Sequence, residues 1–283
     1  MKVATNLAKE AGITLKGPIA TIDGYVTVYN AIIDKASKGL EGPIATELTR
    51  QLKLEFGGEN FGQALSKSLQ MIGSLESVSQ VTGKKNPFTT LKNAIRFTAR
   101  FTARESTGES IPTYNAADLI INIMRIGPER IARTFGRKSA FSALSEIAAV
   151  LKARDTEAGG VEGKATLELS MMALERFAGM SSATRSELAT LLGSEDITVK
   201  NILKAAKDFV QQHSGEGGAF TKVHGIELVV IDNLTRLKES DVTRLADALE
   251  ITESTVGEKL NKVVDLLSRT KNLSKKNVIQ IIS

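Results

Sequence analysis

Residues 188–209 read LATLLGSEDITVKNILKAAKDF, and residues 245–266, which begin 57 positions later, read LADALEITESTVGEKLNKVVDL. Seven of the 22 aligned positions hold the same residue in both copies. The identical pairs are Leu188/Leu245, Ala189/Ala246, Leu192/Leu249, Thr198/Thr255, Val199/Val256, Leu203/Leu260 and Asp208/Asp265. These are mainly positions that two helices joined by a turn would bury. The repeat therefore predicts two related helical hairpins in the C-terminal part of the chain.

Each copy resembles the helix-turn-helix of bacterial regulators over about 22 residues. In that family a small residue lies in the first helix, a turn follows, and a second helix begins at Ser or Thr and enters the major groove of DNA. Ala189, Gly193 and Thr198 stand at these places in the first copy. The resemblance implies that the second helix of such a hairpin contacts duplex DNA.

The second copy departs from this pattern. Glu250 stands where Gly193 would form the turn, and the helix that follows carries Glu253, Glu258 and an interior Gly257, which suit an approach to DNA poorly. The first copy is better placed, because its second helix carries lysines, although acidic residues begin it. The interpretation we favour is that the two hairpins pack together as repeated scaffold units.

Most of the remaining sequence carries apolar residues at helical spacing, with Gly- and Pro-containing breaks between the segments. The predicted helices span residues 44–55, 61–75, 90–104, 115–126, 128–135, 139–153, 164–179, 184–192, 197–212, 240–249 and 253–268. Residues 19–29 are rich in β-branched and aromatic residues and suit a minor β hairpin around Asp23-Gly24, while residues 226–231 suit a short strand. A buried helix is the alternative for both stretches. The expected fold is mainly α, a two-lobed helical bundle.

Glycine-rich stretches at residues 157–163 and 215–218 mark candidate boundaries. We divide the chain into an N-terminal arm (1–18), an N-terminal helical lobe (19–157), a C-terminal helical lobe with the two hairpins (158–269) and a C-terminal arm (270–283).

The composition of the 283 residues excludes several classes of site. No cysteine is present, so disulfides, thiolate metal sites and thiol nucleophiles are ruled out. No apolar run approaches the roughly 20 residues of a membrane span, and no secretory signal is visible at the N-terminus. His213 and His224 are the only histidines, and isolated histidines usually make ordinary polar contacts. We therefore expect no catalytic residue, metal or cofactor, and a cytoplasmic or virion-interior location.

Positive charge is concentrated in the middle of the chain. Residues 84–138 carry eleven Lys and Arg against four Asp and Glu, a net charge of +7, whereas the whole chain carries +5. The rest of the chain is therefore slightly acidic. Such asymmetry is typical of a surface that meets an anionic partner.

One row of cations follows a single helix stripe. Lys92, Arg96, Arg100 and Arg104 are four residues apart, so on a helix they lie about 6 Å from one another along the axis. Like charges at this spacing destabilise a helix, and no acidic residue lies between Lys92 and Arg104 to offset them. The arginine fork matches phosphate, which favours anion binding; the alternative is a solvated basic face.

A second basic group spans a Gly-Pro break. It consists of Arg125, Arg130, Arg133, Arg137 and Lys138. If both groups line one groove, binding is largely independent of sequence and sensitive to salt.

These features predict a protein without enzymatic activity that contacts the RNA or DNA backbone through a basic groove. It would suit a self-assembling nucleoprotein, a homo-oligomer that coats a strand. Two alternatives stay open: a helix-turn-helix transcriptional regulator, and a virion or scaffold protein that makes no nucleic-acid contact.

Overall fold

The computed structural model describes residues 2–17, 19, 21–57, 61–81, 86–102, 116–136, 140–155, 163–214, 218–220 and 225–269. Within these residues the fold is mainly helical, with fourteen helices and no strand or sheet. Their bounds are α1 Lys2–Glu10, α2 Ile22–Ser37, α3 Pro43–Gly57, α4 Phe61–Val81, α5 Pro87–Thr102, α6 Ala116–Ile126, α7 Pro128–Thr134, α8 Ala140–Asp155, α9 Gly163–Gly179, α10 Ser182–Leu191, α11 Val199–Gln212, α12 Ile226–Leu234, α13 Glu239–Ala248 and α14 Val256–Arg269. The expected mainly α class is confirmed.

The hairpin proposed for residues 19–29 is wrong, because α2 occupies most of this stretch. Thr21 begins the helix as its N-cap, with its side chain accepting a hydrogen bond from the Gly24 amide. Tyr25, Tyr29 and Ile32 then recur at helical spacing and are buried. A period that continues over sixteen residues outweighs the local preference of β-branched residues for strands. Likewise, the strand proposed for residues 226–231 is part of α12.

The chain divides into two compact units, which differ from the expected lobes. Unit 1 comprises residues 1–145 and 161–168, and unit 2 comprises residues 146–160 and 169–283. The stretch interpreted as an N-terminal arm, residues 1–18, contains α1, whose Leu7 and Ala8 are buried. Because α1 packs against α2 and α5, it belongs to the core of unit 1.

Helix α5 is central to unit 1, since it packs against α1, α2, α3, α4 and α6. Leu91, Ala94 and Ile95 are completely or almost completely buried on this helix. The Thr98 hydroxyl is also buried and donates to the carbonyl of Ala94, 2.9 Å away. Burial of each large apolar side chain contributes about 1.5–3 kcal/mol, so α5 is the helix on which this unit is assembled.

Unit 2 contains an internal duplication that extends beyond the 22 residues visible in the sequence. Adding 57 to the bounds of α10 and α11 gives the bounds of α13 and α14. The same shift places residues 169–177 of α9 on α12. Buried positions in these two helices also correspond: Ala173, Leu174 and Phe177 match Val230, Ile231 and Leu234, while Met172 and Val229 are both exposed. Two three-helix modules, residues 169–212 and residues 226–269, therefore make up most of unit 2.

Both modules turn between their second and third helices in the same way. Gly193 has φ +62° and Glu250, its counterpart, has φ +56°, the left-handed conformation. In the first module the Ser194 amide donates to Ala189 across this turn, and in the second the Ile251 amide donates to Ala246. This is the Schellman arrangement, in which one left-handed residue ends a helix. Glu250, which departs from the motif in sequence, therefore has the same backbone conformation as Gly193 at the equivalent position.

The modules contact each other through unlike faces. Helices α10 and α11 of the first module pack against α12 and α14 of the second, whereas the reciprocal pairs make no comparable contact among the described residues. At the junction, a Cβ added to Gly257 would lie 3.1 Å from the Gly193 nitrogen and 3.3 Å from the Thr190 carbonyl oxygen. Glycine at position 257 therefore lets α14 approach the backbone of the first turn.

We predict that Glu250→Gly stabilises the protein by about 1 kcal/mol, because glycine adopts the left-handed conformation without a Cβ penalty. Gly193→Ala, at the equivalent turn, should destabilise by a similar amount or more. Urea denaturation followed by circular dichroism measures both variants. Equal changes of the same sign in the two variants would show that the turns are not equivalent.

We further predict that Gly257→Ala lowers the free energy of unfolding by about 1–2 kcal/mol, because backbone atoms rather than a flexible side chain meet the new methyl group. Gly73→Ala is the matched control: this glycine lies within α4 with nothing within 4 Å of the added Cβ. The control should gain about 0.5–1 kcal/mol from helix propensity. The same denaturation curves test both changes, and a stabilised Gly257→Ala would refute the close approach.

Candidate nucleic-acid interface

The structure describes five of the nine cationic side chains predicted to contact nucleic acid. Lys92 and Arg96 lie on α5, Arg125 ends α6, and Arg130 and Arg133 lie on α7. The Arg100 backbone belongs to α5, but its side chain is outside the described part of the structure. Outside it as well are the remaining three residues: Arg104, Arg137 and Lys138.

The two described cations of the α5 row are half-buried rather than fully exposed. A nitrogen of the Arg96 guanidinium lies 4.0 Å from where a Cβ on Gly39 would stand, so this side chain runs beside the connection between α2 and α3. Neither Lys92 nor Arg96 pairs with an acidic residue that the structure describes. Lys92 and Arg96 thus present positive charge at the edge of a mostly buried helix.

The described cations around the α6–α7 junction are more exposed than those of α5. Arg125, Arg130 and Arg133 are all exposed. Arg130 and Arg133 are three residues apart on α7 and therefore share one side of it, and the stem of Arg130 lies 3.8 Å from the Cβ position of Gly127. Neither arginine of α7 has an acidic partner among the described residues, although Glu129 is exposed beside them. We call Arg125, Arg130 and Arg133 the junction arginines.

In the first hairpin of unit 2, a carboxylate occupies the start of the second helix. Thr198 is the N-cap of α11 and accepts from the Asn201 amide. Asp196 accepts hydrogen bonds from the Thr198 hydroxyl at 2.6 Å, the Thr198 amide at 2.8 Å and the Asn201 side chain at 2.7 Å. These bonds, above all that of the Thr198 hydroxyl, hold the pKa of Asp196 below its usual value. A carboxylate in its charged form is thus favoured at the start of α11.

The second hairpin has the same arrangement built from a different residue. The Glu258 carboxylate accepts from the Thr255 hydroxyl at 2.9 Å and the Thr255 amide at 3.1 Å, while the Thr255 hydroxyl accepts from the Glu258 amide. This reciprocal capping box lowers the pKa of Glu258, chiefly through the hydroxyl of Thr255. The sequence signal for it was the spacing Thr-x-x-Glu at the start of a helix. Both second helices therefore begin at a carboxylate.

Cations on these second helices differ between the two modules. On α14, Lys259 and Lys262 each lie 3.8 Å from a carboxylate oxygen, of Asp247 and Glu253 respectively. On α11, Lys200 and Lys204 are exposed and pair with no acidic residue in the described ranges. If either helix meets a polyanion, α11 is the one with cations available.

His213 has a structural position between the modules. Its Nδ1 lies 3.0 Å from Asp265 and its Nε2 lies 2.8 Å from the side-chain oxygen of Asn261, and both partners belong to α14. The ring is buried and stands edge-on to Phe209, 4.8 Å between centroids. The interpretation of this histidine as an ordinary polar contact agrees with that geometry. His224 lies outside the described residues.

The parts of the chain that the structure describes contain no cluster of three His, Asp or Glu side chains arranged to hold a metal ion. Among the same residues, no helix combines the length and the apolar character that crossing a bilayer requires. Searches against protein families, curated proteins and solved structures found no match to this chain.

We predict that Thr255→Val raises the titration midpoint of the Glu258 carboxyl, because the hydroxyl donor that favours its ionised form is lost. Since the folded-state pKa is depressed, the capping box stabilises the protein above the ordinary carboxyl pKa and weakens as the pH falls below it. Carbon-detected NMR titration of Glu258 measures the midpoint, with Thr46→Val in unit 1 as the control. An unchanged midpoint in Thr255→Val would contradict the capping assignment.

Proposed function

We propose that this protein binds nucleic acid through the phosphate backbone, and that the junction arginines of unit 1 make the main contacts. The observation that carries the proposal is that Arg130 and Arg133 are exposed on one side of α7 with no acidic partner among the described residues. Arginine forks of this kind bind phosphate oxygens in two parallel hydrogen bonds. The net charge of +7 over residues 84–138 supports the same conclusion.

The contacts would be to the backbone rather than to the bases. Aromatic residues make up only 5% of the chain and tryptophan is absent, so little surface is offered for stacking bases. The half-buried Lys92 and Arg96 would contribute long-range attraction more than direct hydrogen bonds. Binding would then depend weakly on sequence and strongly on salt.

On this proposal the duplicated hairpins are packing modules. Asp196 and Glu258 place carboxylates at the starts of the two second helices, where a helix-turn-helix protein approaches DNA. A negative charge at that point repels phosphate and lowers the affinity for DNA. The runner-up function, a helix-turn-helix regulator, draws support from Lys200 and Lys204 of α11, which are exposed.

Binding of this kind best suits a nucleoprotein that coats a strand as a homo-oligomer. It would act where nucleic acid is packaged or handled, in the cytoplasm or the interior of a virion. No catalytic step belongs to this proposal.

We expect Arg130→Gln/Arg133→Gln to bind generic oligonucleotides more weakly and with a shallower dependence of log affinity on log salt. Each lost phosphate contact changes that slope by about 0.7 for single strands and about 0.9 for duplex, so the slope should fall by about 1.4 to 1.8. Fluorescence anisotropy over a salt series measures the slope on both kinds of strand.

Lys200→Gln/Lys204→Gln is the matched control, because it also removes two exposed cations but from α11. The backbone proposal predicts that the control leaves the slope close to that of the parent protein. The regulator function predicts the reverse, with loss of duplex binding in the control alone. Absence of any salt-dependent binding in the parent protein would leave the third alternative, a scaffold that makes no nucleic-acid contact.

A further inference from the structure

The second module carries an open apolar groove between α13 and α14. The groove has a volume of about 310 Å³. Its apolar lining consists of Leu237, Val242, Leu245, Ala248, Leu260 and Val263. Asp241 and Arg244 stand at its polar rim, and Arg244 is largely exposed. Ala248 is exposed and Leu245 is half-buried, so apolar surface reaches solvent here.

The first module has an equivalent surface, but there it is covered. The counterparts of Leu245 and Ala248 are Leu188 and Leu191, and both are completely buried. Helix α10, which carries them, packs against α12 and α14. The cover of the first module is therefore supplied by the chain that follows its hairpin, beginning with α12.

We propose that residues 273–282 of the same chain cover the groove of the second module, as α12 and α14 cover that of the first. These residues come after the second hairpin, beginning four positions beyond the end of α14, whereas α12 begins fourteen positions beyond the end of α11, and they lie outside the described part of the structure. The proposal does not depend on nucleic-acid binding. It assigns an intramolecular docking function to the stretch interpreted as a C-terminal arm.

The sequence of this segment suits the groove. It holds five large aliphatic residues within ten positions: Leu273, Val278, Ile279, Ile281 and Ile282. The apolar residues of α12 are of the same kind, and all but Val229 are buried. Lys271, Lys275 and Lys276 accompany the aliphatic residues.

The reach of the chain also agrees with this occupant. Asp241 and Arg244 at the rim lie 3.2 Å apart as an ion pair, so the rim carries both signs of charge and the apolar residues of the segment are what match the groove. From Arg269, the end of α14, four extended residues span about 13 Å, whereas Val263 lies about 9 Å back along the helix. The chain can therefore double back onto the groove without a long linker.

The test uses the full chain, which contains no cysteine, so a single introduced cysteine can carry a nitroxide spin label. The label goes on Arg244→Cys at the rim of the groove. Its control is Glu187→Cys, the equivalent exposed position of the first module, where the groove is already covered. We expect the Arg244 label to broaden the amide NMR signals of residues 273–282 at least several times more than the Glu187 label does.

A mixture of isotope-labelled chains without nitroxide and unlabelled chains with nitroxide distinguishes contacts within a molecule from contacts between molecules. Broadening confined to chains that carry both labels supports the proposal. Broadening of equal strength in the mixture shows that a second copy supplies the segment and overturns it. Equal effects from Arg244 and Glu187, or no effect from either, overturn it as well.

Substitutions in the segment give an independent measurement. Ile279→Asp/Ile282→Asp should speed amide hydrogen exchange in α13 and abolish the broadening, because charged side chains do not enter an apolar groove. Gln280→Asp, which changes charge without removing an aliphatic residue, should leave the broadening in place and alter exchange much less. If the double variant leaves exchange in α13 unchanged, the segment does not cover the groove.

Discussion

The left-handed backbone at Gly193 and Glu250 is the constraint on which the second unit depends. A helix that continued through either position would leave no hairpin. The apolar faces of the two helices, whose spacing is repeated in both modules, could then not pack against each other. The first turn is also a contact between the modules, because α14 approaches its backbone closely at Gly257. A Cβ added at Gly193 would meet nothing within 4 Å, so this approach limits the space at position 257, while both turns impose the same left-handed conformation.

Charged side chains have different surroundings at α7 of unit 1 and at the starts of α11 and α14 in unit 2. In unit 1, exposed arginines stand around a helix junction and the described acids do not neutralise those of α7. In unit 2, carboxylates cap helix starts, and the lysines of α14 lie near acidic side chains of their own module. Unit 1 also contains ion pairs, such as that of Lys53 with Asp34, and unit 2 has exposed lysines on α11, so the contrast is between the arginines of α7 and the carboxylates at the starts of α11 and α14. The proposed assignment of binding to one unit and packing to the other rests on this contrast.

Much of the fold was predictable because helical period is a property of residue spacing alone. The bounds of α6 and α11 lie within two residues of the sequence prediction. Residues 22–37 misled because β-branched and aromatic side chains favour strands locally, yet their burial on one face of a long helix decides the outcome. Residues 226–234 were ambiguous for a different reason: a short apolar run has no clear period. The extent of the duplication was hidden because residues 169–177 of α9 and α12 share their pattern of burial but have no identical residue at equivalent positions.

The candidate site was only partly accessible to sequence reasoning. Spacing placed Lys92 and Arg96 on one stripe, but it could not show that α5 is enclosed by five other helices, since that depends on contacts distant in sequence. Exposure of Arg130 and Arg133 likewise follows from the packing of α7 against α4 and α6. Finally, contact through unlike faces means that the two modules form a directional stack rather than a closed pair. Such a stack can be extended at its end by a further module. A longer protein could therefore arise by addition of whole 57-residue units, each packed on the one before it, without changes in the modules already present.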